Sequence, residues 1–256
     1  MGHQRARPDR RLAGARIGRD ADEAVSASAH RSGGCRHESE AGPAASLEAI
    51  DPTTLTEIAP GLLRWSAPHP DWSPDAEPGS SSDWDPIVAS VLYELPGIVV
   101  LIDPLLPSAE RARFLDWLDE RIAGRPVSIL TTIHWHRRDR AELAERYRAN
   151  TTRVWNYVPA GVEQRPLRGA GETLFWLPAV ATLVAGDRLI GDEHGGVRVC
   201  PQSWLEDVRA NRADVAGLLR PLLELPIERV LVSHGEPVLR EGHAALARAI
   251  AEAEAD

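Results

Sequence analysis

The stretch Ile129-Leu-Thr-Thr-Ile-His-Trp-His-Arg-Arg-Asp139 decides how the fold is predicted from this sequence. An apolar, β-branched run ends there in two histidines that one residue separates. In an extended chain, residues i and i+2 point to the same side, so we expect His134 and His136 to project together while Trp135 faces the opposite way. Because imidazole is the commonest metal ligand, the stretch predicts a strand that leads into a metal site. Two ligands alone do not hold a metal, so the other ligands must come from elsewhere in the chain.

The composition excludes several classes of function. The 256 residues are 43% hydrophobic, enough for a sizeable core, and the net charge of −9 argues against a surface for nucleic acid. All 29 basic residues are arginine, and the absence of lysine excludes Schiff-base and P-loop lysine chemistry. Cys35 and Cys200 are the two cysteines, so no disulfide framework is indicated. No apolar run approaches the roughly 20 residues that span a membrane. We expect a cytoplasmic protein with a small-molecule substrate and without nucleic-acid or membrane partners; its oligomeric state is left open.

Residues 1–46 are rich in Arg, Ala, Gly and Ser and have no hydrophobic period. Such a segment cannot bury enough apolar surface to offset the entropy lost on ordering, so it is predicted to be a disordered tail. It also lacks the apolar core of a secretory signal. A start of translation further downstream is an equal alternative. We expect the folded domain to occupy residues 47–256.

The remaining sequence alternates strand and helix signals. Pro-Gly turns predict two hairpins, one within residues 55–65 and one that joins Ile87–Leu95 to Ile98–Ile102. Helices are predicted after Ser108, which would act as a cap, and after Asp139, where Glu142 would complete a capping box. A strand is expected over residues 152–158. The long polar loop of residues 66–86 contains Trp72 and Trp84, which predict either a flap over a pocket or a loop pinned to the core.

Several predicted strands end in a possible metal ligand, and strand ends at one edge of packed sheets converge. These ligands are Asp103, His134 with His136, Asp187 and His234. The order and spacing of these features over residues 55–251 resemble the metallo-β-lactamase-fold hydrolases. The resemblance implies an α/β fold, an αββα sandwich in which helices flank two mixed β-sheets.

The sequence departs from the family at three ligand positions. The family motif His-x-His-x-Asp-His reads His134-Trp-His-Arg-Arg-Asp139 here, so an arginine replaces the aspartate and an aspartate replaces the last histidine. The family's later histidine is missing, since Leu167-Arg-Gly-Ala-Gly171 stands at that place. The resemblance therefore carries over fewer residues than usual. It implies His134, His136, Asp187 and His234 as metal ligands. We predict Asp187 and Arg138 as catalytic residues.

Arg138 argues against a second metal ion. A unit charge about 5 Å from a divalent ion costs roughly 7 kcal/mol at an effective dielectric constant near 20. We therefore expect at most one ion, zinc with iron or manganese as alternatives, or none. In the metal-free protein, Asp187 is expected to form a bidentate pair with Arg138. Replacing Arg138 with Asp and Asp139 with His is expected to raise metal affinity.

Two functions remain open from the sequence. One is a hydrolase with a single metal ion that acts on an ester, a lactone, a thioester or a similar small substrate. The other is a catalytically degenerate, metal-free relative that binds a ligand or a partner in the same pocket. The candidate site residues could also have purely structural roles. The histidines of the motif could hydrogen-bond backbone carbonyls, and a turn role is favoured for Asp103.

Overall fold

The computed structural model describes residues 55–149 and 158–255. The predicted tail and nearly all of the strand predicted over residues 152–158 lie outside these ranges. The strands are β1 (Leu55–Ala59), β2 (Leu62–Pro68), β3 (Ile87–Leu95), β4 (Ile98–Ile102), β5 (Val127–Leu130), β6 (Glu163–Leu167), β7 (Glu172–Leu177), β8 (Thr182–Val184), β9 (Leu189–Gly191), β10 (Val197–Val199) and β11 (Arg229–Leu231). The α-helices are α1 (Arg111–Ile122), α2 (Arg140–Arg146), α3 (Arg212–Leu219) and α4 (Gly242–Ala255).

Two mixed sheets form the centre of the domain. The five-stranded sheet has the order β1-β2-β3-β4-β5, in which only β4 and β5 pair in parallel. The four-stranded sheet has the order β11-β8-β7-β6, in which only β11 and β8 pair in parallel. Strands β9 and β10 form a separate antiparallel hairpin.

Three hydrophobic clusters show that the sheets stack between helices. Along β4, Val99 and Leu101 pack with the apolar face of α1, whereas Val100 and Ile102 pack with residues of the four-stranded sheet. A third cluster joins the outer face of the four-stranded sheet to α3 and α4. This alternation follows from the two-residue period of a strand and requires that both faces of β4 be apolar. The layers are helix, sheet, sheet and helix, which confirms the predicted fold class.

The chain leaves the sheet earlier than the sequence predicts at the His-Trp-His stretch. Strand β5 ends at Leu130, and residues 134–139 form turns in which the His136 N–H donates to the Ile133 carbonyl at 2.9 Å. The rule that residues i and i+2 share a side applies only to extended chain. The expectation that His134 and His136 project together was therefore wrong.

The two predicted helix caps are also absent. The helix after Ser108 begins as a 3₁₀ turn whose entry has no side-chain cap. Asp139 precedes α2, but its carboxylate accepts from the Leu106 N–H at 2.6 Å and pairs with Arg111 at 2.9 Å. Asp139 thus ties α2 to the segment after β4 instead of capping its own helix.

No helix within the described residues is long and apolar enough to cross a membrane.

A close backbone contact joins the β9–β10 hairpin to the loop after β11. The Gly191 N–H donates to the His234 carbonyl at 2.9 Å. A Cβ atom at Gly191 would lie 2.6 Å from the carbonyl oxygen and 2.7 Å from the nitrogen of Glu236. Because both are backbone atoms, a side-chain rotation cannot remove the clash, and the main chain would have to shift. Glycine is required here for His234 to sit where it does.

We predict that Gly191→Ala lowers the free energy of unfolding by about 1–3 kcal/mol, the usual cost of overpacking. The matched control is Gly217→Ala, at an exposed position of α3 where a Cβ meets nothing within 4 Å. This control should gain about 0.5–1 kcal/mol from helix propensity. Thermal unfolding of both variants checks the pair, and an equal melting temperature for wild type and Gly191→Ala would contradict the prediction.

Candidate metal centre

Three buried side chains converge where loops follow the ends of three strands. His136 lies in the turns after β5, Asp187 lies between β8 and β9, and His234 follows β11. The His136 Nε2 atom is 3.0 Å from Asp187 Oδ1, and the His234 Nε2 atom is 3.4 Å from the same oxygen. Each residue offers one ligand atom, and these atoms all lie within 4.8 Å of one another.

Asp103 fixes the orientation of His136. The Asp103 carboxylate faces His136 Nδ1 at 3.0 Å and accepts from both the backbone N–H and the hydroxyl of Thr132. Asp103 itself adopts a left-handed backbone conformation, with φ of 48°. A carboxylate on Nδ1 favours the tautomer that carries its proton there, which leaves the Nε2 lone pair for a ligand. The sequence favoured a role for Asp103 in a turn, and that role does not account for its contact with His136.

The contact between His136 and Asp187 requires a positive charge. With its proton on Nδ1, neutral His136 would turn a lone pair toward a carboxylate oxygen 3.0 Å away. Burial by itself lowers the pKa of His136, but the carboxylates of Asp187 and Asp103 outweigh burial and raise the pKa to about 9. Burial likewise raises the pKa of Asp187, and the imidazoles of His136 and His234 hold it well below its usual value. A proton or a metal ion between the two groups satisfies them both.

The residues fit a metal ion. Tetrahedral zinc with ligand bonds near 2.0–2.1 Å places its ligand atoms ~3.3 Å apart, close to the 3.0 and 3.4 Å measured to Asp187 Oδ1. The Asp187 Oδ1 atom is buried and accepts no hydrogen bond of good geometry from the described residues. Two imidazoles and one carboxylate suit zinc, and they also suit iron.

Asp187 is held by two further side chains. The buried Glu172 carboxylate accepts from three successive backbone N–H groups, those of Gly186, Asp187 and Arg188, each at 2.8 Å. The indole N–H of Trp135 donates to Asp187 Oδ2 at 2.6 Å. Burial and the nearby Asp187 raise the pKa of Glu172 to about 7, against the lowering effect of the backbone donors. The backbone and the carboxylate of Asp187 are therefore fixed independently.

Arg138 does not form the expected pair with Asp187. Its guanidinium donates to the carbonyl oxygens of Ala89 at 2.7 Å and Asp103 at 2.8 Å, and to the Ser233 hydroxyl at 2.6 Å. Arg138 has a left-handed backbone conformation, with φ of 39°, which turns its side chain toward these acceptors. The expectation of a bidentate pair was wrong because three neutral acceptors from separate segments occupy the guanidinium. Arg138 still lines the pocket beside Asp187, and its predicted catalytic role stays a prediction.

His134 lies apart from the other three predicted ligands. It is exposed, and its ring packs edge-on against Trp135 at a centroid distance of 4.5 Å. The cluster found among the described residues contains His136, Asp187 and His234 without it. The turn after β5 points His134 to solvent and brings Trp135 to Asp187, the reverse of the predicted arrangement.

The three residues line a pocket of about 580 Å³ whose wall includes three tryptophans beside charged and hydroxyl side chains. The ring of His234 packs edge-on against Trp84 at 5.6 Å and Trp204 at 5.1 Å. Trp84 belongs to the long loop after β2, where the Trp72 indole N–H donates to the Trp84 carbonyl at 2.8 Å. Trp84 lines the pocket, and the hydrogen bond from Trp72 fixes the loop. The loop therefore has features of both alternatives left open by the sequence, a flap over a pocket and a loop pinned by its tryptophans.

Sequence reasoning missed Glu172 and underrated Asp103 and Trp135. Asp103 had a usable signal, because it directly follows β4, the neighbour of the strand that leads to His136. Glu172 begins β7 and reaches backbone groups 14 to 16 residues further along the chain, and no local pattern predicts such a contact. The predicted directions of Trp135 and His134 were both wrong, because the prediction assumed an extended chain where the structure has turns.

Comparisons with known proteins agree with this architecture. No protein-family model matches the sequence, and no curated protein matches it. Among solved structures, the metallo-β-lactamase DIM-1 superimposes with a TM-score of 0.55 at 11% identity, over 78% of this chain and 96% of its own. The metallo-β-lactamase FIM-1 from Pseudomonas aeruginosa, in its mono-zinc form, gives 0.51 at 12% identity over 80% and 98%. A metallo-β-lactamase from Erythrobacter litoralis gives 0.51 at 15% identity over 79% and 96%. This chain has the metallo-β-lactamase fold, as the sequence predicted.

We predict that Glu172→Gln destabilises the protein, because an amide N–H₂ must then face at least one of three backbone N–H donors. Leaving such a buried donor unsatisfied costs about 1–3 kcal/mol. Glu163→Gln, at an exposed position of β6, is the matched control and should change stability by less than about 0.5 kcal/mol. Thermal unfolding at pH 8, where Glu172 is ionised, measures both variants. Equal melting temperatures would contradict the assigned role of Glu172.

Proposed function

We propose that the protein is a metal-dependent hydrolase that holds one zinc ion with His136, Asp187 and His234. The proposed substrate is an ester, a lactone, a thioester or a similar small molecule, and the proposed location is the cytoplasm. The observation that carries the proposal is the convergence of two imidazole Nε2 atoms on Asp187 Oδ1 at the wall of a pocket. A bound ion would act as a Lewis acid that polarises a carbonyl oxygen and acidifies water. Iron and manganese are the alternative ions.

The protein's own groups would position the reacting parts. Asp103 keeps the proton of His136 on Nδ1, away from the ligand atom. Arg138 places a fixed positive charge at the pocket, which favours negative charge that develops on a substrate oxygen. Trp84, Trp135 and Trp204 form part of the pocket wall, where they would bind the apolar part of a small substrate.

The second candidate is a metal-free module that binds a ligand or a partner in the same pocket. The raised pKa of His136, about 9, favours it, because a protonated His136 satisfies Asp103 and Asp187 without a metal ion. Metal content separates the two candidates, since only the hydrolase needs the ion.

We predict that the purified protein binds one zinc ion per chain, measured by elemental analysis and by titration against a chromophoric chelator. His136→Ala and His234→Ala should each abolish tight binding, because each removes one of three ligands. His134→Ala is the matched control, the same substitution two residues away at an exposed position, and it should bind zinc as the wild type does.

Two tightly held zinc ions per chain would contradict the proposed single site. Loss of binding in His134→Ala with retention in His234→Ala would contradict the ligand assignment. Failure of the wild-type protein to bind zinc, iron or manganese at any concentration tested would support the metal-free module instead.

A further inference from the structure

The two carboxylate oxygens of Asp187 have different partners. Oδ1 faces the Nε2 atoms of both His136 and His234, whereas Oδ2 accepts the indole N–H of Trp135 at 2.6 Å. An indole N–H only donates, so its hydrogen, with a partial positive charge, points at Oδ2. A metal ion that approached Oδ2 would meet this hydrogen, whereas an ion at Oδ1 would not.

The position of Trp135 is itself fixed. The guanidinium of Arg188 lies 5.5 Å from the centroid of the Trp135 ring, in a cation–π contact. Arg188 is fully buried, donates to the Ala170 carbonyl at 2.8 Å and pairs with Asp207 at 3.1 Å. A cation held in this way is a rigid support for the ring above it. The ring therefore cannot swing away from Asp187 without losing both contacts.

Core packing does not explain the placement of this tryptophan. Trp135 is 41% exposed, so it buries less apolar surface than the other indoles of the core such as Trp65, which is fully buried. A side chain that stabilised the fold by burial alone would lie deeper. Its specific contribution is the hydrogen bond to Asp187.

We propose that Trp135 is a positioning residue that restricts Asp187 to one coordinating oxygen. The inference rests on the proposed function, and it assigns the coordination of Asp187 through a single oxygen to an indole N–H. With an N–H donor on Oδ2, coordination of one ion through both oxygens of Asp187 is disfavoured relative to coordination through Oδ1 alone. The same hydrogen bond turns Oδ1 toward the two imidazoles and raises the affinity of the three-ligand site.

The test is Trp135→Phe, which keeps an aromatic ring and removes the N–H. Removal of a group that orients a metal ligand typically lowers metal affinity 10- to 100-fold, and we expect a loss of about tenfold or more for zinc. With cobalt(II) as a spectroscopic substitute, the visible absorption should weaken, because an unrestrained Asp187 coordinates through both oxygens and raises the coordination number.

The matched control is Trp204→Phe. Trp204 lies in the same pocket, with its ring 5.1 Å from that of His234, but its indole N–H has no hydrogen-bond partner among the described residues. The chemical change is the same, and no ligand loses a donor. Zinc affinity should stay within about threefold of the wild type, and the cobalt spectrum should be unchanged.

A second variant separates the N–H from the ring. Trp135→Gln removes the indole and keeps an amide N–H donor, so it should retain most of the zinc affinity that Trp135→Phe loses. Equal losses in these two variants would assign the effect to the ring and overturn the proposal. Thermal unfolding of each metal-free variant confirms that it is folded before zinc is added.

The outcomes also distinguish this inference from the function on which it rests. Wild-type protein that binds one zinc ion, together with Trp135→Phe that matches Trp204→Phe in affinity and cobalt spectrum, would overturn this inference alone. Wild-type protein that binds no zinc would overturn the proposed function and this inference together.

Discussion

The buried carboxylate of Asp187 is the constraint around which the site is arranged. An ionised carboxylate that is removed from water costs several kcal/mol unless charges and donors compensate it. Here the imidazoles of His136 and His234 lie on one oxygen and the indole N–H of Trp135 on the other. Glu172 adds a second buried carboxylate nearby, which three backbone N–H groups stabilise. The contact of Asp187 Oδ1 with His136 Nε2 favours a cation between them, either a proton on His136 or a metal ion.

The same region holds the two sheets together. The Thr173 N–H donates to the Thr132 carbonyl at 2.8 Å, which links β7 to the segment after β5. Arg138 connects the carbonyl oxygens of Ala89 and Asp103, in the five-stranded sheet and at its edge, to Ser233, which follows β11 of the other sheet. Because these contacts come from the same segments as the metal ligands, the geometry of the ligands and the packing of the sheets depend on each other.

The fold was predictable because its signals are local. Pro-Gly turns, apolar strands such as Ile98–Ile102 and the polar residues that follow strands are all visible within short windows of sequence. The position of His234 at a strand end was visible in the same way. The failures came where a contact joins distant segments or where the chain leaves extended geometry. Strand β5 ends at Leu130, and the turns that follow exchange the expected positions of His134 and Trp135. Glu172 carries no local signal at all.

The two substitutions in the His-x-His motif are part of the packing of this domain. Arg138 is a cross-link between three segments, and Asp139 accepts the Leu106 N–H and pairs with Arg111. Replacing Arg138 with Asp would place a carboxylate against two carbonyl oxygens, and replacing Asp139 with His would leave the Leu106 N–H without its acceptor. The structure therefore argues against the expectation that this double replacement raises metal affinity, because both changes break partly buried contacts that hold the segments around the site. A second metal site would require new contacts between the two sheets. The Ala89 carbonyl and the Ser233 hydroxyl, which Arg138 now binds, would need other partners.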